Sequence, residues 1–218
     1  MPRQTLSQHP ALQRMLAGFK GFRALYYEQR PERIKDLMEG SQRPEVLLIA
    51  CSDSRVDPAI VTNAEPGELF IVRNVANLVP PYQPDDGYHG TSAAIEYAVT
   101  ALKVAHVVVL GHSNCGGIQA LAAHLDGHQV DGQFVGPWIR QLEGCRCASE
   151  TTGDSTADAT RLEQCAILNS LDNLMTFPFI AERVKDGTLT LNGWWFDMTE
   201  ARLWGATPEH RTFQVLTD

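Results

Sequence analysis

The sequence lacks several features that mark whole classes of protein. None of its apolar runs approaches the roughly 18 to 20 residues that a membrane-spanning helix needs. The N-terminal residues contain no apolar stretch of the kind found in signal peptides. Basic residues are outnumbered, with 18 Lys and Arg against 26 Asp and Glu. The net charge of -8 argues against nucleic acid and anionic membranes as partners, because both bind basic patches.

Cysteine is also scarce, with five residues in a chain of 218. A small, odd number in a chain long enough to form its own core argues against a disulfide framework. We therefore expect a cytoplasmic location, where cysteines are reduced thiols or metal ligands. Cys145 and Cys147 lie in a small, acidic segment without the C-x-x-C spacing of redox motifs. Cys165 fits the apolar side of a helical pattern and is expected in the core.

Apolar runs and turn signals predict an α/β fold. Continuous apolar segments at 46–50, 69–72 and 106–110 are typical of buried parallel strands, and helical patterns separate them. Further strands are expected at 188–196 and 212–216. This alternation predicts a mostly parallel central β-sheet flanked by helices, with a C-terminal edge strand. Residues 144–160 are small, polar and acidic and predict a flexible excursion, followed by a helical region over 162–184 that is interrupted at Pro178.

The first 40 residues predict an N-terminal helical arm. Apolar residues recur at spacings of three and four between 12 and 26, and a second helical segment follows Pro31. The apolar face of this arm suits packing on its own domain or on a neighbouring subunit. We find no internal repeat and no second domain, so we expect one domain over 1–218 with the arm at 1–40.

Two of the predicted strands end in residues that bind soft metals. Cys51 follows the first strand in the sequence CSDSR, and His112 and Cys115 follow the third in GHSNCGG. In an open parallel sheet, ligands bind beyond the carboxyl ends of the strands, where strand order reverses. If the two strands are neighbours there, these side chains meet. Two cysteines and one histidine suit zinc and leave a fourth tetrahedral position for catalysis, although a closed zinc site or a buried thiol beside a histidine are alternatives.

Asp53 and Arg55 are close enough in sequence to form a charge-assisted pair. A structural ion pair, or Asp53 as a fourth metal ligand, would also explain them. We favour a role in which Arg55 steers Asp53, and Asp53 accepts a hydrogen bond from zinc-bound water and orients it. Two thiolates cancel the charge of Zn²⁺, so this water should be less acidic than at an all-histidine site, where its pKa is about 7. Turnover is therefore predicted to rise from neutral to alkaline pH.

These motifs resemble those of the β-class carbonic anhydrases, in particular the plant-type branch, in a chain that looks bacterial. The similarity runs from about residue 42 onward and includes EPGE from 65, RNVANLVPPY from 73, AIEYA from 94 and SLDNL from 170. The resemblance implies reversible hydration of carbon dioxide to bicarbonate and a proton, one zinc per subunit, and homodimers or higher homo-oligomers. It makes Cys51, His112 and Cys115 the metal ligands, with Asp53 and Arg55 as the catalytic pair.

The resemblance also implies a substrate pocket. Gln42 falls where the plant-type branch has a glutamine that hydrogen-bonds bicarbonate across the dimer interface. Phe70, Val75 and Tyr97 match its apolar and aromatic lining, and Gly116 matches a backbone N–H donor beside the zinc. Apolar walls with a few donors suit a small uncharged substrate and its anionic product. Each of these residues also suits an ordinary core position.

Two residues of the first strand depart from a pattern found in some bacterial members. Leu48 and Ala50 stand where those proteins have a Trp and a Gly that bind a regulatory bicarbonate. The departure argues against such regulation and against a state in which Asp53 replaces the water. Two other functions remain open. One is hydrolysis of a carbon dioxide analogue, carbon disulfide or carbonyl sulfide, on the same fold; the other is a non-catalytic zinc-binding module, against which the Asp53–Arg55 pair argues.

Overall fold

A computed structural model describes residues 9–130, 132–144 and 153–217. The chain divides into two compact units, Met1–Gln42 and Arg43–Asp218. The assignment of one domain to residues 1–218, with an arm at 1–40, stays a prediction. Cys145 and Cys147 lie outside the described residues.

The N-terminal unit consists of helices that bury none of their own side chains. Helix α1 (Pro10–Arg23) continues as a π-helical turn (Ala24–Glu28), and α2 (Pro31–Met38) follows. Both α-helices begin at a proline, whose fixed φ and missing N–H suit the first helical position. Apart from the half-buried Tyr26, the apolar positions of the predicted helix are exposed, including Met15 at 71% and Phe19 at 62%. Among the described residues, the apolar stripe of this unit is therefore exposed.

The second unit is built on one six-stranded sheet in the order β2-β1-β3-β4-β5-β6. Strands β1 to β4 are parallel, and β5 and β6 add antiparallel pairs, so the predicted mostly parallel sheet and C-terminal edge strand are confirmed. The prediction missed β5, a short strand that the antiparallel hairpin with β4 creates. The strands are β1 (Val46–Cys51), β2 (Leu69–Asn74), β3 (His106–His112), β4 (Thr190–Asp197), β5 (Arg202–Ala206) and β6 (Gln214–Thr217).

Helices cover this sheet and connect its parallel strands. They are α3 (Pro58–Val61), α4 (Gly90–Glu96, continued by a π-helical turn at Tyr97–Ala101), α5 (Gly116–Leu125), α6 (Val135–Ile139), α7 (Ser155–Leu174) and α8 (Pro178–Lys185). Short 3-10 turns lie at Val75–Asn77 and Arg140–Leu142. In the described part of the chain, no helix is long and apolar enough to cross a membrane.

The structure corrects the predicted start of the long helix. Residues 155–160 were expected in a flexible excursion but form the first turns of α7. The Asp154 side chain accepts hydrogen bonds from the backbone N–H groups of Thr156 and Ala157, which fixes the helix start. The predicted interruption at Pro178 is confirmed, because this proline begins α8. Cys165 lies buried on α7 as expected but is disulfide-bonded, so the prediction of a reduced thiol is wrong there.

Both faces of the central strands are buried, which explains their continuous apolar pattern. Leu47 and Ile49 of β1 pack in the same core as Ile167 of α7. The alternate residues of β1, Leu48 and Ala50, are buried in a smaller cluster. Burial of both faces fixes the register of the strands and hence the positions of the residues that follow them.

The order of the strands reverses at β1, which lies between β2 and β3. The register pairs Val46 with His106 and Ala50 with Leu110, so the carboxyl ends of β1 and β3 are side by side. The expectation that these two strands are neighbours is confirmed. This sheet edge is where an open α/β fold binds its ligands.

Candidate metal centre

The sheet brings Cys51, His112 and Cys115 together at the ends of β1 and β3. Their ligand atoms all lie within 4.8 Å of one another, and the two sulfurs are 3.9 Å apart. Zinc–sulfur bonds of about 2.3 Å at a tetrahedral angle place two thiolates about 3.8 Å apart. All three side chains are buried. Among the described residues, this is the one group of three or more possible ligands with such spacing.

The orientation of the His112 ring leaves one nitrogen for a metal. Nδ1 lies 2.8 Å from the carbonyl oxygen of Ser113, which can only accept, so Nδ1 carries the proton and donates. Nε2 is then the nitrogen with a free lone pair. It is buried without a hydrogen-bond partner, an arrangement that costs free energy unless an ion or water satisfies it. Two thiols and this orphaned nitrogen fit a soft to borderline metal ion.

Backbone N–H groups stabilise negative charge on the two sulfurs. The N–H groups of Asp53 and Ala76 act to lower the pKa of the Cys51 thiol. The N–H groups of Gly117 and Ile118, in the first turn of α5, act in the same direction on the pKa of Cys115. The neighbouring Cys115 sulfur lowers the pKa of the Cys51 thiol although burial opposes this, and the same contact, with burial, raises the pKa of Cys115. A cation between the sulfurs would favour both thiolates.

Asp53 and Arg55 form a two-pronged ion pair beside the three ligands. Arg55 Nε donates to Oδ1 over 2.9 Å and its terminal nitrogen to Oδ2 over 2.6 Å. The backbone N–H of Arg55 donates to Oδ1 as well. These contacts hold the pKa of Asp53 well below its usual range. Asp53 Oδ2 lies 4.0 Å from His112 Nε2, so the carboxylate sits next to the ligand cluster.

Arg73 is a site residue that the sequence analysis did not identify. It donates to the carbonyl oxygens of Cys51 (3.0 Å) and Asp53 (2.7 Å), and pairs with Asp57 over 2.8 Å. These bonds fix the backbone between Cys51 and Asp53. The signal was available, because Arg73 lies one residue before the end of β2, whose parallel neighbour β1 ends at Cys51.

The loop from His112 to Cys115 is held by contacts from three other elements. The N–H of Ser113 donates to Phe196 on β4, and Arg55 donates to the carbonyl oxygen of Asn114. Glu163 of α7 accepts a hydrogen bond from the N–H of Cys115 over 3.1 Å. Burial raises the pKa of Glu163, which is 4% exposed. The sequence analysis missed this acid too, although a glutamate on the buried face of a helix is a recognisable signal.

Val75 and Gly116 are next in the chain to residues at the candidate site, because Val75 follows Asn74, the register partner of Cys51, and Gly116 follows Cys115. Val75 belongs to the 3-10 turn that follows β2, and Gly116 is the first residue of α5. The turn and the helix touch at Gly117, where an added Cβ would lie 2.9 Å from both Ala76 Cβ and Val75 Cγ1. The second glycine of the GHSNCGG motif therefore permits this close approach.

Phe70 and Tyr97, two of the other predicted pocket residues, are not brought to the candidate ligands of their own chain. Phe70 pairs with Leu47, four residues before Cys51, which places it about 13 Å back along the sheet. The Phe70 and Tyr97 rings contact each other at 5.9 Å between centroids. Gln42 is the last residue of the N-terminal unit. The substrate roles of these residues stay predictions.

Comparisons with known proteins agree with this site. The family model described as carbonic anhydrase matches residues 46–203, which include all three candidate ligands. The chain is 37% identical over 207 residues to a carbonic anhydrase of Pseudomonas aeruginosa, covering 94% of this chain and 91% of the relative. It is 36% identical over 197 residues to a carbonic anhydrase of Synechocystis sp., covering 88% and 70%.

The comparison of folds agrees with the comparison of sequences. The solved structure of the β-carbonic anhydrase CcaA superposes with a TM-score of 0.85 at 32% identity, covering 95% of this chain and 93% of that one. One of two tetrameric β-carbonic anhydrases from Sordaria macrospora superposes with a TM-score of 0.76 at 29% identity, covering 95% and 98%. The relatives found by sequence and those found by fold are all carbonic anhydrases, and this chain belongs to the β-class carbonic anhydrases.

Proposed function

We propose that the metal of this carbonic anhydrase is zinc, and that Cys51, His112 and Cys115 hold it for the reversible hydration of carbon dioxide. The observation that carries this proposal is the buried, unpartnered Nε2 of His112 facing two sulfurs that are 3.9 Å apart. Two thiols and one imidazole are a donor set that suits zinc, and three protein ligands leave one position open. Bound zinc supplies a Lewis acid that makes water nucleophilic near neutral pH.

We infer that Asp53 orients the attacking water. An ionised carboxylate only accepts hydrogen bonds, so it can fix the direction in which a water donates its proton. Arg55 holds both carboxylate oxygens and so keeps Asp53 in one orientation next to His112. The same hold keeps Asp53 from turning toward the metal as a fourth ligand. Arg73 supports this arrangement through the main chain on both sides of residue 52.

The proposed substrate contacts come from two sources. Val75 and the N–H of Gly116 lie near the ligands and suit an apolar molecule and its anionic product. Phe70 and Tyr97 lie too far from the ligands of their own chain, so we propose that they line the site of a second subunit. Gln42 is proposed to hydrogen-bond bicarbonate in the same way, across the interface.

We propose that the enzyme is a homodimer or a higher homo-oligomer. The solved relatives from Sordaria macrospora are tetrameric. The apolar stripe of α1 is exposed, with Met15, Phe19 and Phe22 among its members. An exposed apolar surface of this kind marks an interaction site. Sedimentation analysis gives the mass, and a monomer at assay concentrations would contradict the proposal.

The cytoplasm is our proposed location. Its support is the scarcity of cysteine, while the disulfide at Cys165 counts in the other direction, because stable disulfides are rare in cytosolic proteins. Cell fractionation followed by immunodetection separates the compartments, and recovery of the protein outside the cytoplasmic fraction would refute the proposal.

A stopped-flow assay of carbon dioxide hydration across pH tests the function. We expect catalysis that rises from neutral to alkaline pH. Asp53 does not cause this rise, because Arg55 lowers its pKa below the ordinary value of about 3.9 and it stays ionised throughout the assay range. The Asp53→Asn variant should therefore have a lower maximal rate of carbon dioxide hydration. The pH at the midpoint of the rise should stay the same.

The same preparation is assayed with carbon disulfide and carbonyl sulfide as controls. Hydrolysis of these analogues without carbon dioxide hydration would replace the proposed substrate. A zinc-loaded protein that turns over none of the three would be a binding module, and a profile that is flat across pH with chemistry rate-limiting would contradict the expected alkaline rise.

A further inference from the structure

Glu163 is a buried acid that the proposed reaction does not use. It lies on the face of α7 that also buries Ala166 and Ile167, and 4% of its surface is exposed. Burying a carboxylate is costly unless hydrogen bonds replace the water it loses. Both oxygens of Glu163 have such partners, so the acid is part of a defined arrangement.

The two partners of Glu163 are both N–H donors. The backbone N–H of Cys115 donates to Oε1 over 3.1 Å, and the indole Nε1–H of Trp195 donates to Oε2 over 3.0 Å. A carboxylate accepts at both oxygens, whereas a glutamine has one accepting oxygen and one donating NH₂ group. A glutamine at position 163 would therefore face one of the two donors with another donor. The pair of partners selects a glutamate.

The second partner ties the metal loop to the sheet. Trp195 is a buried residue of β4, and it pairs with Gly111 of β3, immediately before His112. Glu163 thus connects a fixed position in the sheet to the loop that follows β3. The acid itself belongs to α7, so a helix holds the loop in addition to the two strands.

We propose that Glu163 is a positioning residue of the metal centre, which fixes the main chain of Cys115 and thereby sets the affinity for zinc. The inference rests on the proposed role of Cys115 as a zinc ligand. The peptide group between Asn114 and Cys115 is held at both of its polar atoms, because its carbonyl oxygen accepts from Arg55 and its N–H donates to Glu163. Asn114, immediately before Cys115, has a φ of 57°, a left-handed conformation that needs such support.

Zinc affinity, measured by competition with a chromogenic chelator in the absence of substrate, tests this proposal. We expect Glu163→Gln to weaken zinc binding by about 10- to 100-fold, the range observed when the partner of a metal ligand is lost. Trp195→Phe removes the second donor and leaves Cys115 bonded to Glu163, so its affinity should stay close to wild type. In the double variant the amide oxygen can serve Cys115 while the NH₂ group faces no donor, so affinity should recover relative to Glu163→Gln.

A matched control is Glu182→Gln, which makes the same change of charge at an exposed helical position and should bind zinc like wild type. Equal zinc affinity in Glu163→Gln and wild type would overturn the proposal, as would a double variant that binds no better than Glu163→Gln. Circular dichroism checks folding of each metal-free variant. If Glu163→Gln does not fold, a folded, zinc-binding double variant supports the proposal, and failure of both overturns it in favour of a purely structural role.

The two proposals fail in different ways. A wild-type protein that binds zinc without hydrating carbon dioxide contradicts the proposed function and leaves the role of Glu163 intact. A wild type that hydrates carbon dioxide, together with a Glu163→Gln variant of unchanged zinc affinity, contradicts only the role of Glu163.

Discussion

Replacement of Cys115 by alanine is expected to lower the rate of carbon dioxide hydration by about 10³-fold or more. A bound metal that acts as a Lewis acid contributes several kcal/mol of transition-state stabilisation, and each 1.4 kcal/mol is a factor of about ten. The variant loses one of the three buried ligand atoms, which lie within 4.8 Å of one another, and its metal content should fall with its activity. Stopped-flow kinetics and elemental analysis of the same sample measure both.

The control for this variant is Ser54→Ala, an exposed position in the loop that follows Cys51. It should keep its metal and its activity, since it removes a hydroxyl of the same loop without touching a ligand. A Cys115→Ala variant that retains one metal per subunit and full activity would show that Cys115 is not a ligand. Serine at position 115 should weaken metal binding as well, because an alcohol is a poorer ligand for zinc than a thiolate.

Loss of the Asp53–Arg55 pair is expected to have the next largest effect. Asp53→Asn should lower kcat/KM by about 10- to 100-fold, because the amide no longer offers two acceptor oxygens to Arg55 and to the attacking water. Arg55→Ala should reduce activity by a similar factor. Without its partner, Asp53 is free to turn toward the metal, since Oδ2 already lies 4.0 Å from His112 Nε2. The two losses should be strongly non-additive in the double variant.

The spectrum of cobalt-substituted protein reports whether Asp53 reaches the metal. We expect the spectrum of Arg55→Ala to differ from that of wild type, and that of Arg55→Ala with Asp53→Asn to return toward it. Arg55→Lys keeps the positive charge but lacks the fork that binds two oxygens, so its activity should be intermediate. Additive losses, with an unchanged cobalt spectrum in Arg55→Ala, would mean that Arg55 does not control the position of Asp53.

Much of the fold could be predicted because the chemistry of each element is local. The apolar runs of β1 and β3 are continuous because both faces of these strands are buried, and that pattern is visible in the sequence. The start of α7 was missed because a single capping aspartate, Asp154, decides it within a polar segment. Strand β5 was missed because pairing with β4, rather than its own pattern, makes it a strand.

The same distinction between local and long-range information applies to the candidate site. The donor types at the ends of two strands and the Asp53–Arg55 spacing are properties of the sequence, and they were enough to predict a metal site and its neighbouring acid. Arg73 and Glu163 were missed, although Arg73 holds the backbone at Cys51 and Glu163 holds it at Cys115. Their roles depend on which strand lies beside which, and on the direction in which a helix presents an acid. The charged residues themselves were visible in the sequence, near the end of a strand and on the buried face of a helix, but their hydrogen-bond partners are long-range and no local pattern contains them.

The sequence by itself therefore determined the class of fold, the donor set and the chemistry that such donors support, because strand burial and ligand type are properties of individual segments. Only the tertiary structure decided that β1 and β3 are neighbours, that His112 presents Nε2 to two sulfurs, and that Phe70 and Tyr97 lie away from the ligands of their own chain. The physical reason is that sheet order and register are set by the packing of the whole core, and the ligands meet only when that packing is complete.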